Sequence, residues 1–403
     1  MLIIEKKHLA ILTVIMLICP IISIPLLIWG ILNKKHELLP LLSFVMAAIA
    51  IISPPFADLY QHSLEFQIYK YTNSSLKDVF EQKDYVLYLL EFLFAKWNFH
   101  FEWIRGIFVF ICYQIVFVLY KALFDYVPEL NVNKKKRIFY FFSLFFLVPF
   151  IWIVNGMRSA MSCYLLVYAW YCLYTGKNVR GWLMALLGVF THFFGVVFIP
   201  LLLLFKIKHL RVGYLVYLFL LVFFFAIGKI LFANLLDSIS STDRTSALGV
   251  SDTTINAYNS EGGFTYAKVS VNGLIAMVME RLPIFFIFVK TIFTRCRDYE
   301  IDDRNQMRIL FLLWVFISSS WIPFQRLSWL VSPIILFLFL KNIKSNGSYF
   351  TIRFLLLFTI IGQIAYIYGY RFAFLNTPFY YLIMPLPMSL WHVYPPTFYV
   401  IGD

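Results

Sequence analysis

Charge is what this chain has least of. Asp, Glu, Lys and Arg make up 14% of its 403 residues, against 61% hydrophobic; soluble domains carry about 25% charged and about 45–50% apolar residues. So few ionisable groups cannot cover a water-facing surface, which excludes a soluble globular domain. Acids are scarcer still: 21 Asp and Glu against 34 Lys and Arg leave a formal charge of +13. In a soluble protein that excess would suggest nucleic acid. Here the basic residues sit in short loops between apolar runs, as orientation signals and contacts for anionic lipid, so nucleic acid is not an expected partner. The five cysteines make no CxxC and no Cys/His metal spacing, and no exported loop carries a pair. Cys19, Cys112, Cys163 and Cys172 lie within apolar runs and Cys296 in a basic loop, where all read as packing residues. No GxGxxG, GxxxxGK[ST], HExxH or GxSxG occurs, which removes nucleotide-driven pumping and zinc proteolysis. Nor does a small-residue cleavage site follow Lys6, Lys7 and the first apolar run, so a retained first span is expected.

What the chain has instead is hydropathy in long runs. A bilayer core about 30 Å thick needs about 20 apolar residues in helix. Runs of that kind fall at 9–32, 38–52, 104–124, 138–154, 160–174, 212–235, 271–289, 309–322, 327–340 and 352–370. The expected fold is an all-α polytopic membrane protein, one transmembrane domain over 1–403 with about 10 spanning helices. Aromatics reach 20%, Phe as lipid-facing filler and Tyr and Trp as interfacial belts.

Positive loops orient the spans. Lys134, Lys135, Lys136 and Arg137 mark one cytoplasmic loop, Lys177 and Arg180 a second, Lys206, Lys208 and Arg211 a third, and later clusters follow near Arg297 and Lys341. The spans alternate between these clusters except at 183–205, which has basic signals at both ends. Two half-helices in a re-entrant hairpin, with His192 near the tip, satisfy that constraint; one long tilted helix is the alternative. Three segments then face the outer compartment above a membrane cavity. They are 53–102, with an amphipathic interfacial stretch at 85–97, the polar segment 237–270, and the tail 371–403.

Chemistry is expected where arginine breaks the positive-inside bias. Arg158, in Asn155-Gly156-Met157-Arg158-Ser159, and Arg326, in Trp321-Ile322-Pro323-Phe324-Gln325-Arg326, both sit between spans on the outer side. Their planar forks of donors suit phosphate. Glu280 and Arg281 lie inside an apolar run, where ionisable groups are costly, and read either as a structural ion pair or as substrate contacts. Arg371 closes the last span and reads equally as a headgroup contact. Tyr60, Tyr69, Tyr71 and Trp97, with Asp58 and Glu65, bring to one outer loop the aromatic faces and carboxylates that sugar recognition needs.

Three of these stretches resemble the Wzy/EpsG-type polysaccharide polymerases. Asp58-Leu59-Tyr60-Gln61-His62 resembles that family's Asp-x-Tyr element, though Gln61 stands where arginine is frequent. Gly156-Met157-Arg158-Ser159-Ala160-Met161 resembles its Gly-x-Arg element opening a helix. Thr191-His192-Phe193-Phe194-Gly195 is similar to its histidine at a helix break, with Phe194-Gly195 in place of the usual Ser-Ala, and Arg326 matches a later arginine. The resemblance implies a multi-pass protein of the bacterial inner membrane that polymerises undecaprenyl-diphosphate-linked oligosaccharides, as in O-antigen of lipopolysaccharide or capsule. The expected enzyme is a metal- and nucleotide-independent glycosyltransferase without cofactor, because the donor is already activated by its diphosphate. Arg158 and Arg326 would grip that diphosphate, His192 or Asp58 would act as base, and Tyr60, Tyr69, Glu280, Arg281 and Arg371 would line the substrate. Its partners would be the lipid-linked oligosaccharides and membrane lipids; a chain-length regulator is left open. A flippase of lipid-linked sugars, a ligase to another lipid and a scaffold protein are the rival readings.

Overall fold

The computed structural model describes residues 2–53, 58–72, 74–80, 84–206, 211–240, 275, 278–294, 299–318, 321–343, 348–369, 371 and 378–390. Among the described residues the regular structure is helical throughout, with no strand. This is the all-α polytopic architecture that the hydropathy requires: inside a bilayer every backbone N–H and C=O must find its partner within the segment. Four helices are long and apolar enough to cross a membrane, 102–126, 134–155, 324–342 and 350–369, and several shorter apolar helices accompany them. The chain forms two compact units, 1–196 with 370–403, and 197–369.

The first unit begins with α1 (Leu2–Ile18) and α2 (Pro20–Leu32), which share the apolar run 9–32. Cys19 is extended (φ −147°) ahead of Pro20, because the residue before a proline is pushed out of helical geometry. Then follow α3 (Leu39–Ile52), α4 (Asp58–Tyr71), α5 (Leu76–Phe80), α6 (Tyr85–Lys96) and α7 (Glu102–Tyr126). Helix α7 is the hub of the unit, packing on α3, and on α8 (Lys134–Phe145), α9 (Phe150–Asn155) and α10 (Met157–Tyr174). Its Phe117 stacks on Phe141 of α8 at 6.1 Å with 12° between the rings. Buried Arg137 donates from Nε to the Leu32 carbonyl (2.9 Å) and from Nη1 to that of Leu130 (2.8 Å). One basic-loop guanidinium thus caps two chain ends. Cys112, Cys163 and Cys172 are buried, as packing residues should be; Cys296 lies outside the described residues.

Helix α11 (Asn178–Thr191) makes its closest packing against α10. Gly188 permits the approach: a Cβ there would stand 3.2 Å from the Ser162 carbonyl oxygen, the use of small residues that holds helices together where water gives no driving force. At His192 the chain turns extended (φ −155°, ψ 121°). A 3-10 turn, Phe193–Phe198, follows before α12 (Ile199–Lys206). Beyond residue 371, residues 378–390 are described. They form a short turn and α18 (Leu386–Leu390), whose Leu386 and Leu390 bury against Ala48 and Ile51 of α3.

The second unit holds α12 and α13 (Tyr214–Ser240), then α14 (Leu282–Thr294), α15 (Ile301–Ile317), α16 (Trp321–Asn342) and α17 (Ser348–Gly369). Helix α13 packs on α15, α15 on α16, and α14 on both α16 and α17. Its basic end is neutralised locally. Lys341 bonds Glu300 at 2.6 Å and Asp303 at 2.9 Å, and the Arg308 guanidinium lies 5.8 Å from the Tyr214 ring centre. The polar segment 237–270 falls almost wholly outside the described residues.

Candidate functional site

Helix α6 is the amphipathic stretch expected at 85–97, and the site is built on its inner face. Asp84 stands at its N-cap yet makes no capping hydrogen bond to its own helix. An N-cap carboxylate ordinarily stabilises a helix by about 1 kcal/mol through that bond. Asp84 is instead buried and turned inward. Its Oδ2 accepts from Arg158 Nη1 at 2.8 Å, and its Oδ1 pairs with His192 Nδ1 at 3.0 Å and accepts from the Phe193 backbone N–H at 3.2 Å. One carboxylate therefore joins residues 74 and 108 positions further along the chain. The break after α11 makes this possible: the extended backbone at His192 leaves the next N–H outside the helix ladder and pointed at Asp84.

The electrostatics follow from the contacts. Burial alone would raise the Asp84 pKa, but the hydrogen bond and charge of His192, then the Arg158 guanidinium and the Phe193 amide, outweigh it and hold the carboxyl below its ordinary range. With Asp84 ionised, His192 donates Nδ1–H to it, and Nε2 becomes the basic nitrogen. Arg158 is the second residue of α10, where the helix dipole opposes a cation; Asp84 compensates. Its side chain is 28% exposed, so solutes can reach the guanidinium.

A second cluster lies one and two turns along the same face. Positions 84, 88 and 91 fall on one stripe of α6 and its N-cap, and of these Tyr88 and Glu91 face His62 of α4. His62 Nδ1 is 3.1 Å from Glu65 Oε2 and 3.5 Å from Glu91 Oε1. Burial drives the Glu91 carboxyl up to about 7, partly offset by His62. Burial would lower His62, but its bonds to Glu65 and Glu91 raise it. Tyr69 is buried, edge-on to Phe92 at 6.0 Å. A cleft of about 430 Å³, lined by Glu65, Ile68, Tyr69, Thr72, Ser74, Asp78 and Tyr88, opens beside the cluster.

Of the residues singled out from sequence, Arg158 and His192 are brought together, and Tyr69 lines the neighbouring cleft. Asp58 and Tyr60 occupy the first turn of α4, with side chains outside the described residues. Arg371 is half-buried in the first unit. Glu280, Arg281 and Arg326 belong to the second unit. There Arg281 is buried, donating from Nε to Ser328 Oγ at 3.3 Å, with its guanidinium 5.0 Å from the Phe324 ring centre. Glu280 holds it only loosely, at 3.8 Å, so packing on α16 positions Arg281 more than the ion pair does. Phe324 and Ser328 share one face of α16. Two residues is about 200° of helix, so half-buried Arg326 lies on the other face, away from Arg281.

Sequence reasoning missed Asp84, Glu91 and the pairing of His62. Asp84 had one local signal, a carboxylate immediately ahead of an apolar periodic helix. That signal marks a cap and says nothing of Arg158 or His192.

Residues 57–386 match the model of the EpsG family. No curated protein and no solved structure matches the chain.

Proposed function

This chain belongs to the EpsG family of polysaccharide-polymerase-type membrane proteins, and from that premise we propose that it is a glycosyltransferase joining undecaprenyl-diphosphate-linked oligosaccharide repeat units into a polysaccharide of O-antigen or capsule type, at the outer face of a bacterial inner membrane. The observation that carries the reading is the carboxylate of Asp84 held at once by Arg158 and His192. A base oriented by a carboxylate, beside a guanidinium, is what transfer from a lipid diphosphate requires.

In the proposed reaction the acceptor is the terminal hydroxyl of one lipid-linked repeat, and the donor is the glycan on a second lipid diphosphate. His192 Nε2 takes the hydroxyl proton as the acceptor oxygen bonds the donor's anomeric carbon. The bond from that carbon to the diphosphate breaks, and its electron pair leaves on the lipid diphosphate. Arg158 stabilises the charge that grows there, and Asp84 stabilises the imidazolium. Such a contact typically contributes about 10²–10³ in rate. Asp84 acts through His192 and Arg158 and is a positioning residue. Tyr69 and Tyr88, beside the cleft, offer aromatic faces for the sugar.

The test is purified protein in liposomes with lipid-linked repeat units. Ladders of extended glycan support polymerisation, and they should vanish in Arg158→Ala and His192→Ala while membrane insertion is unchanged. A change of substrate accessibility without new bonds would identify a flippase, and transfer to a different lipid a ligase. Normal long-chain polymer from either variant would remove the mechanism.

A further inference from the structure

The Asp84 contacts leave the second cluster unexplained. Glu91 is fully buried, yet among the described residues its carboxylate has only His62 Nδ1 beside it, at 3.5 Å from Oε1 and outside good hydrogen-bond geometry. An ionised carboxylate in that state costs several kcal/mol unless something neutralises it. A proton would remove the charge but leave a buried O–H whose neighbouring acceptor, His62 Nδ1, stands 3.5 Å away, too far for a good hydrogen bond. A cation removes the charge and coordinates the oxygens together.

The surroundings suit a cation. One ligand atom from each of His62, Glu65 and Glu91 can be chosen so that all lie within 4.8 Å of one another. Two donors each about 2.1 Å from a metal are about 3.0–3.4 Å apart at octahedral or tetrahedral angles. The His62 nitrogen stands 3.1 Å from Glu65 Oε2 and 3.5 Å from Glu91 Oε1. Two carboxylates and a neutral imidazole balance a double positive charge. The adjoining cleft of about 430 Å³ reaches Glu65 and Tyr88, which gives the ion an entry path and room for water ligands.

We propose that His62, Glu65 and Glu91 bind one divalent cation of the kind that accepts mixed imidazole and carboxylate ligands, Mn²⁺ or Zn²⁺. The site shares its face of α6 with Asp84, and the Arg158 charge is felt at His62, Glu65 and Glu91. The ion therefore adds a second positive centre to the region where Arg158 meets a diphosphate. That role rests on the reaction proposed above; the binding itself does not.

The experiment uses full-length protein in detergent, stripped with chelator, exchanged into chelator-free buffer and titrated with MnCl₂ or ZnSO₄ alone. Calorimetry and the loss of free Mn²⁺ paramagnetic signal are the readouts. Wild type should bind one equivalent. Glu91→Gln and His62→Ala should bind at least about 100-fold more weakly, beyond the 10–100-fold typical of losing an outer partner. Asp84→Asn should keep the equivalent. Should Glu91→Gln fail to fold, Glu65→Gln, at a carboxylate 44% exposed, supplies the same comparison. No saturable binding by wild type, or undiminished binding by folded variants, overturns the site. Because no lipid substrate is present, failure of the glycan-ladder assay leaves this result untouched, and the reverse holds too.

Discussion

Replacing Asp84 with asparagine preserves the shape of the side chain and removes its charge and one of its two acceptors. In the native site Oδ2 faces Arg158 at 2.8 Å, and Oδ1 faces both His192 Nδ1 and the Phe193 amide. The amide can satisfy one side only. If its oxygen stays with His192 and Phe193, its NH₂ meets the Arg158 donors, and the guanidinium must move. The variant then loses charge stabilisation of about 10²–10³ in rate. If the NH₂ turns to His192, the ring must accept at Nδ1 and carry its proton on Nε2, where the base is needed. In hydrolase triads that tautomer error costs about 10⁴. Chain extension should therefore fall about 10²–10⁴-fold, with about 2–5 kcal/mol lost in stability from the unmatched buried partners. Glycan ladders from reconstituted protein, read beside unfolding midpoints in detergent, measure both. Extension is also expected to lose the acidic limb of its pH–rate profile, which a purely structural role for Asp84 would leave in place. A folded Asp84→Asn protein extending chains at the wild-type rate would refute the positioning argument.

The same carboxylate predicts a pH dependence of stability. Its pKa is held below the ordinary value, so its stabilisation is present above about pH 3.9 and is lost as pH falls through the lower folded value. The stability gap between wild type and Asp84→Asn should narrow on acidification below about pH 4, and a gap unchanged down to the acid limit would contradict this. Gly188→Val should lower the thermal midpoint by the equivalent of about 1–3 kcal/mol through overpacking, because its Cβ would meet the Ser162 carbonyl at 3.2 Å; an unchanged midpoint would show that α11 can give way. If Arg326 also meets the diphosphate, as the family resemblance implies, Arg326→Ala should abolish chain extension while membrane insertion persists; long-chain product from it would refute that role. Arg137→Ala should cost about 2–5 kcal/mol by leaving the Leu32 and Leu130 carbonyls unmatched, measured by chemical or thermal unfolding.

Most helices were legible because hydropathy is a local sum. The run 104–124 became α7 (Glu102–Tyr126), and 327–340 became α16 (Trp321–Asn342). Local chemistry also showed where helices break or open. A polar Thr191-His192 pair in an apolar run broke the chain at His192, and Gly156 separated α9 from α10. The interruption at Cys19–Pro20 was missed inside the run 9–32, although proline announces it. Within the site, Arg158 and His192 were legible because each violates a local expectation: an arginine between two apolar runs, a polar group at a helix break.

The sequence by itself determined that this is a helical membrane protein, roughly where its helices run, and that several ionisable side chains, Arg158, Arg326 and His192 among them, are out of place. Those properties depend on residues within a few turns of one another. Only tertiary structure decided that Asp84 is the common partner of Arg158 and His192, and that His62, Glu65 and Glu91 lie side by side. The packing of α4, α6, α10 and α11 brings these groups to within 3.5 Å across as many as 108 positions of chain. An acid in a polar segment has no periodicity to mark it; burial beside a particular guanidinium and imidazole, which only the fold creates, gives it its chemistry.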